Sequence, residues 1–152
     1  MSYTKDDCRK DTIEHINQVR KCLNRFIVEL EERGRVHDKS KLESPEIEIF
    51  TEYTPKLAKS TYGSDEYNEN LKGMQKALKH HYENNSHHPE HYPNGIQGMD
   101  LLDIIEMICD WKAATLRHDD GDIRKSIEIN QKRFNYSDEL KEIFKNSVTL
   151  FD

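Results

Sequence analysis

Apolar residues recur along this chain at steps of three and four, the spacing that places side chains on one face of an α-helix. The longest stripe lies between about Asp6 and Arg33, and Gly34 is the expected C-terminal stop of that helix. The stripe consists of Ile13, Ile16, Val19, Leu23, Phe26, Ile27 and Leu30. The alternating pattern of a half-buried β-strand is absent, so the sequence predicts an all-α protein.

Further helices are predicted where a capping residue or a proline precedes apolar residues at helical spacing. A short helix should span residues 36–42, Ser44-Pro45-Glu46 should begin the next one, and Thr54-Pro55 should restart it. Four later helices should begin near Ser64, Asp100, Asp122 and Ser137. Residues 86–98 carry scattered Pro and Gly and should form a loop. We therefore expect one domain over residues 1–152, a bundle of six or seven helices.

The composition excludes several classes of protein. The 152 residues carry 23 Lys and Arg against 29 Asp and Glu, and this acidic balance of −6 argues against a general nucleic-acid binder. No apolar run approaches the ~20 residues of a membrane span, and the first residues lack the apolar core of a signal peptide. The three cysteines, Cys8, Cys22 and Cys109, fit reduced thiols. We therefore expect a cytoplasmic protein without a membrane partner.

Histidine is the unusual component, with eight residues in the chain. His37-Asp38 places an imidazole beside a carboxylate, and both are ligands for divalent metals such as Zn, Fe, Mn or Co. Taken alone, the dipeptide is explained more simply as an exposed polar pair beside a helix end. His15 shares a helix face with Val19 and Phe26, which points it inward, either as a ligand or as a core histidine bonded to a carbonyl.

A second candidate ligand lies on the predicted helix that follows Ser64. His81 continues the apolar stripe of Met74 and Leu78, whereas His80 is rotated from that stripe by about 100°. His81 should therefore point inward. Asn85 follows it by four residues on the same face, where its amide can either orient the imidazole or touch a ligand.

The remaining candidates lie in the loop and on the helix after it. His87 and His88 are either functional loop residues or a fortuitous surface cluster, and His91 is expected to be a surface residue. Asp110 sits among apolar residues of the next helix, where a carboxylate needs a cation, a metal or several donors. Asp103 has a simpler explanation as part of a capping box, so we leave it out of the site.

The order His15, His37-Asp38, His81, Asp110 resembles the H…HD…H…D ligand order of the HD superfamily of metal-dependent phosphohydrolases, which are all-helical. Residues 37–41 resemble the HD-x-G-K motif of the branch that cleaves cyclic dinucleotides, with serine in place of the glycine. One histidine of that branch has no counterpart here. The spacing of the later histidines is also similar to that of a small uncharacterised HD-like family of bacteria and their phages.

The resemblance implies hydrolysis of a phosphomonoester or phosphodiester in a nucleotide-like metabolite, by water that a metal activates. One or two divalent ions of Zn, Fe, Mn, Co or Ni would be held by His15, His37, Asp38, His81, His87 and Asp110. Asp38 and Lys41 would be catalytic. The substrate would be bound by Lys41, Asn85, His88 and Arg117. Two alternatives stay open: an HD-like domain that binds metal or nucleotide without catalysis, as a sensor or partner protein, and a helical interaction module whose histidines are incidental.

Overall fold

The computed structural model describes residues 2–60, 64–117 and 121–151, which form helices, turns and loops without a β-strand. The α-helices are α1 (Lys5–Val36), α2 (Glu46–Lys59), α3 (Asp65–Asn84), α4 (Leu101–Thr115), α5 (Ile123–Phe134) and α6 (Asp138–Ser147). Short 3₁₀ helices span Lys39–Leu42, Pro89–His91, Gly95–Gly98 and Val148–Phe151. The predicted all-α class is confirmed. The chain divides into two compact units, Met1–Val36 and His37–Asp152.

The N-terminal unit consists of α1, none of whose residues is buried. Its apolar stripe is exposed, with Ile13 at 59% and Ile27 at 52%, because a single helix has no neighbour within its own unit to cover that face. The inward position predicted for His15 is therefore not observed. Gly34 is not the C-terminal stop either, since α1 continues to Val36. Neither α1 nor any other described helix combines the length and the apolar character needed to cross a membrane.

Side-chain caps begin most helices of the C-terminal unit, as predicted. Ser64 accepts a hydrogen bond from the backbone N–H of Tyr67, and Ser137 caps α6 in the same way. Asp122 accepts from the first backbone N–H groups of α5. Asp100 forms a reciprocal capping box with Asp103 at the start of α4. Each cap satisfies backbone donors that have no partner within the helix.

The structure corrects two predicted helix boundaries. The expected helix over residues 36–42 is only a turn and a 3₁₀ helix, because Asp38 adopts the left-handed backbone conformation with φ of 55°. Pro55 does not restart a helix but lies inside α2, which runs unbroken to Lys59. α2 packs against α3, and Gly73 permits their close approach because a Cβ there would overlap the ring of Tyr53.

The apolar core of the C-terminal unit is built by α4, α5, α6 and the final 3₁₀ helix. Its buried members are Met107, Ile108, Trp111, Ile123, Ile127, Tyr136, Phe144 and Val148. The hydroxyl of Tyr136 donates to the carbonyl of Ile127, and burial raises the pKa of this tyrosine to about 12. The other side of α4 carries Asp103, Glu106 and Asp110, and this polar side faces the candidate site described next.

Candidate metal centre

Asp38 lies at the centre of a cluster of imidazoles in the C-terminal unit. Its Oδ1 atom is 3.3 Å from Nε2 of His81 and 3.5 Å from Nε2 of His87. Its Oδ2 atom faces His37, whose Nε2 is 3.7 Å away. The left-handed turn at Asp38 thus directs one carboxylate into the space between three imidazoles, and its two oxygens face different rings.

The first group of candidate ligands consists of Asp38, His81, His87 and His88, whose ligand atoms all lie within 4.8 Å of one another. The Nε2 atoms of His81 and His88 are only 2.9 Å apart, so a shared proton or a cation must separate their lone pairs. Oδ1 of Asp38 and Nε2 of His87 are buried without a hydrogen-bond partner among the described residues. Since buried polar atoms are nearly always paired, these orphaned atoms fit a cation between them. Three imidazoles and one carboxylate suit a divalent transition metal.

A second group shares Asp38 with the first. It consists of His37, Asp38 and Asp110, again with ligand atoms within 4.8 Å of one another. Oδ1 of Asp110 lies 3.7 Å from Nε2 of His37, the same nitrogen that faces Asp38. Because Asp38 presents Oδ1 to the first group and Oδ2 to the second, the cluster is built for one ion or for two that share this carboxylate.

Two glutamates hold the imidazoles from behind. Oε1 of Glu106 accepts hydrogen bonds from Nδ1 of His37 at 2.8 Å and from Nδ1 of His87 at 3.0 Å. Glu46, fully buried at the start of α2, accepts from Nδ1 of His81 at 2.9 Å. A histidine that donates its Nδ1 proton to a carboxylate presents the Nε2 lone pair to a metal. The glutamates therefore fix the ring orientation that both ligand groups need.

The sequence prediction includes neither glutamate. Glu46 fits the usual preference for an acid in the first turn of a helix, and nothing local shows that it is buried. Glu106 carries a usable signal, because it lies three residues after Asp103 and four before Asp110 on α4. Three acids on one helix face, beside an apolar stripe, indicate a polar interior face that needs cationic or donor partners.

The charges of the metal-free cluster follow from its contacts. Hydrogen bonding to Asp110, and next to Glu106, raises the pKa of His37 to about 10, so this ring is cationic at neutral pH. Burial, and after it the charge of the neighbouring imidazoles, lowers the pKa of His88 to about 3, so His88 is neutral. Burial by itself would raise the pKa of Asp38, but the donors and cations around it outweigh burial and hold that pKa far below its ordinary value.

Asp103 fixes the loop that carries His87 and His88. This buried carboxylate accepts hydrogen bonds from Ser86 Oγ and from the hydroxyl of Tyr92, both at 2.6 Å. The loop is thus tied to the start of α4 on both sides of its two imidazoles. Our assignment of Asp103 to a capping box is correct, and the same carboxylate also anchors this segment.

A pocket of ≈ 630 Å³ opens beside the cluster, between α2 and α3. Asp38, His81 and His88 form part of its wall, together with the cationic side chains of Lys41 and Arg117. The rest of the described wall is apolar or aromatic apart from two threonines. The volume lies within the range of pockets for small metabolites, and the candidate ligands are accessible from it.

Five of the six predicted ligands come together: His37, Asp38, His81, His87 and Asp110. The sixth, His15, lies exposed on α1 in the N-terminal unit, and its role as a ligand stays a prediction.

Three of the four predicted substrate-binding residues line the pocket, and the fourth, Asn85, does not. His88 is a member of the first group of candidate metal ligands, in addition to the substrate-binding role that the sequence predicts. Lys41 and Arg117 line the pocket as expected, and Lys41 Nζ is 2.6 Å from Oδ2 of Asp38. Asn85 is buried behind His81, where its amide donates at 2.8 Å to the backbone carbonyl of that residue and its Nδ2 atom lies 3.1 Å from Nδ1 of the imidazole. Of the two roles expected for Asn85, the structure places it to orient the imidazole.

His80 and His91 belong to none of the three groups of possible metal ligands, of which the third is His37, His87 and Glu106. His80 is rotated away from the apolar stripe, as predicted, and donates from Nδ1 to Glu46 at 2.7 Å. His91 is exposed, as predicted, and donates from Nδ1 to the carbonyl of Tyr82 at 2.7 Å.

Comparison with known proteins gives a family without a known activity. A family model described as a family of unknown function, DUF5662, matches residues 4–150. No curated protein and no solved structure is significantly similar to the chain.

Proposed function

Because the chain belongs to the DUF5662 family, whose function is unknown, we propose its function from the geometry of the site. The protein is proposed to be a metal-dependent phosphohydrolase that cleaves a phosphomonoester or phosphodiester with an activated water molecule. The resemblance of its His and Asp order to the HD superfamily supports the same class of reaction.

One observation carries this proposal: a single carboxylate, Asp38, belongs to two groups of ligand atoms beside a pocket that also holds Lys41 and Arg117. Metal ligands alone would suit a structural site. A structural site has no need of an adjoining pocket with two cations, whereas phosphate chemistry uses both.

A divalent ion held by these ligands would supply Lewis acidity, which acidifies water and neutralises a phosphoryl oxygen. The residues themselves would do the positioning. Asp38 has a strongly lowered pKa, so it stays ionised at neutral pH. The ionised carboxylate would orient the water molecule by accepting a hydrogen bond from it. Lys41 and Arg117 would bind the remaining negative charge of the phosphate as it approaches the cluster.

The proposed reaction balances without any further reactant. A bond forms between the oxygen of water and phosphorus, and the bond between phosphorus and the ester oxygen breaks. A proton from the water is transferred to the departing oxygen, so the products are an alcohol and a phosphate.

The test begins with metal content. Protein purified without chelator is analysed for transition metals, and then assayed with added Mn²⁺, Zn²⁺ or Co²⁺ on a panel of phosphomonoesters and phosphodiesters. We expect bound metal and metal-dependent hydrolysis, measured as release of phosphate from a monoester or of the alcohol from a diester. The Asp38→Gly variant removes the carboxylate that both Asp38 groups share and suits the left-handed backbone at that position, so it should lose metal and turnover. The control His91→Ala removes an exposed imidazole outside every candidate ligand group and should keep both.

The outcomes separate the alternatives. Metal that is bound by the parent and lost in Asp38→Gly, without turnover on any ester, would refute hydrolysis and favour a non-catalytic domain that binds metal. Absence of metal under every loading condition would refute the metal centre itself. The His15→Ala variant decides the remaining prediction for α1, because only a ligand at that position lowers metal content.

A further inference from the structure

The pocket beside the cluster is made from the apolar faces of two helices. The apolar side chains come from α2 (Ile47, Phe50 and Pro55) and from α3 (Met74, Leu78 and Tyr82). Within each helix these positions repeat at steps of three, four or five, so each helix turns one face to the pocket. Asp38 and His81 belong to the wall of the same pocket.

These apolar side chains are not members of the main core, which lies among α4, α5 and α6. Ile47 remains 41% exposed, and Phe50 and Leu78 are only half-buried. Apolar groups that face an open cavity forgo contacts that a filled core would give. A ligand with an apolar surface would supply those contacts and would be driven into the pocket by removal of that surface from water.

Most polar side chains of the described wall are either candidate ligands or cations. Apart from the candidate ligands and the two cations, the polar side chains on the described wall are those of Thr51, Thr54 and Tyr82, and the Tyr82 hydroxyl is bonded to Arg133, which is not part of that wall. A nucleoside brings ribose hydroxyls and base nitrogens that require partners when buried. Amides and carboxylates are the side chains suited to that task, and the described wall offers them only within the ligand groups.

The charge of the pocket sets the orientation of its ligand. Lys41 Nζ lies 2.6 Å from Oδ2 of Asp38, and Arg117 is the second cation of the described wall, so a dianionic phosphate belongs beside Asp38 and Lys41. The group esterified to that phosphate must then extend along the groove between Phe50 and Leu78.

We propose, on the basis of the proposed function, that the substrate is a phosphate ester of an apolar, ring-sized alcohol, and that the groove between α2 and α3 selects it. Hydrolysis would break its phosphorus–oxygen bond and release the apolar alcohol and inorganic phosphate. The recognised feature is the apolar surface of the ester group rather than the hydrogen-bonding pattern of a nucleoside.

Binding is measured first, because it does not depend on turnover. The metal-loaded protein is titrated calorimetrically with phenylphosphonate and with methylphosphonate, which carry the same charged group and cannot be hydrolysed as esters. We expect phenylphosphonate to bind about tenfold more tightly or better, the range that one or two apolar groups give in a hydrophobic pocket. Adenosine 5′-monophosphate is titrated in parallel and should bind more weakly than phenylphosphonate.

Two matched variants locate the preference in the groove. Ile47→Ser removes a partly exposed wall residue, whereas Ile129→Ser removes an isoleucine that is 66% exposed on α5 and is not part of the wall. Ile47→Ser should reduce the preference for phenylphosphonate about tenfold and leave methylphosphonate binding and metal content unchanged. Ile129→Ser should change none of these quantities, which controls for general effects of removing an exposed isoleucine.

Hydrolysis of 1-naphthyl phosphate and glycerol 2-phosphate separates this inference from the proposed function. Equal kcat/KM for both esters, with metal-dependent turnover, would overturn the inference and leave phosphohydrolysis standing. Selective binding of phenylphosphonate without turnover of either ester would support the ligand class and refute hydrolysis. Tighter binding of adenosine 5′-monophosphate than of phenylphosphonate would overturn the inference in favour of a nucleotide pocket.

Discussion

Replacement of Glu106 by glutamine should weaken metal binding more than any other single change outside the ligands. One oxygen of Glu106 accepts from His37 at 2.8 Å and from His87 at 3.0 Å, so it orients one ring of each ligand group. Glutamine has nearly the same shape but lacks the charge that makes the Nε2 atoms more basic. Its carbonyl oxygen is also a weaker acceptor for two N–H groups at once.

The magnitude follows from the number of rings affected. Loss of the carboxylate behind one metal-bound histidine typically costs 10- to 100-fold in metal affinity. Because Glu106 serves two rings, we expect the upper end of that range, about 100-fold, which corresponds to about 2.7 kcal/mol. Glu46→Gln is the matched comparison, since among the candidate ligands Glu46 holds only His81. It should cost about tenfold.

The assay is a competition titration of Co²⁺ or Zn²⁺ against a chromophoric chelator, with both variants and the parent at the same pH. Circular dichroism of the metal-free proteins checks that each variant is folded. Parent-like affinity in Glu106→Gln would refute the role that we assign to this carboxylate. A larger loss in Glu46→Gln than in Glu106→Gln would refute the argument from the number of rings.

Three further predictions concern stability and protons. Asp103→Ala should lower the free energy of unfolding by about 3 kcal/mol in urea titrations, because it removes the acceptor of two short side-chain hydrogen bonds and one cap. Burial raises the pKa of Tyr136 to about 12, so the folded state favours the neutral phenol, and stability should be full below pH 10 and fall by about 2–3 kcal/mol as pH rises to 12. In Tyr136→Phe, alkaline denaturation curves should lose this component. His37, with a pKa of about 10, must lose its proton to bind a metal, so metal affinity should rise as pH increases from 7 towards 10. Calorimetry in two buffers of different ionisation enthalpy should then detect proton release.

The sequence predicts most of the fold because its signals are local. Ser64, Asp100 and Ser137 cap the helices that they precede, since a cap depends only on the next few residues. His81 was identified from its place on an apolar stripe, and it is nearly fully buried. The prediction that Pro55 restarts a helix is wrong, because proline is common in the first turn of a helix and yet here lies inside α2.

The site is predicted less completely because its assembly depends on contacts between distant segments. Glu46 looks like an ordinary first-turn acid in the sequence, and the spacing of Glu106 from Asp103 and Asp110 indicates a polar face without showing what it meets. Each glutamate contacts an imidazole more than 30 residues away in the chain. The same limit applies to His88, whose ring approaches His81 only after the loop has folded back. The side-chain types are sufficient to predict the candidate ligands, but not the residues that hold them in position.

The first turns of α2 contact both the imidazole cluster and the pocket, and this shared helix couples the two parts of the site. Glu46, the first residue of that helix, is bonded to His81, while Ile47 and Phe50 belong to the wall of the groove. A ligand that contacts Ile47 and Phe50 therefore contacts the same helix whose first residue holds the imidazole of His81. By thermodynamic linkage, if the pocket ligand changes the affinity for the metal by some factor, the metal changes the affinity for the pocket ligand by the same factor. We therefore expect binding of the metal and of the pocket ligand to be coupled, whichever of them binds first.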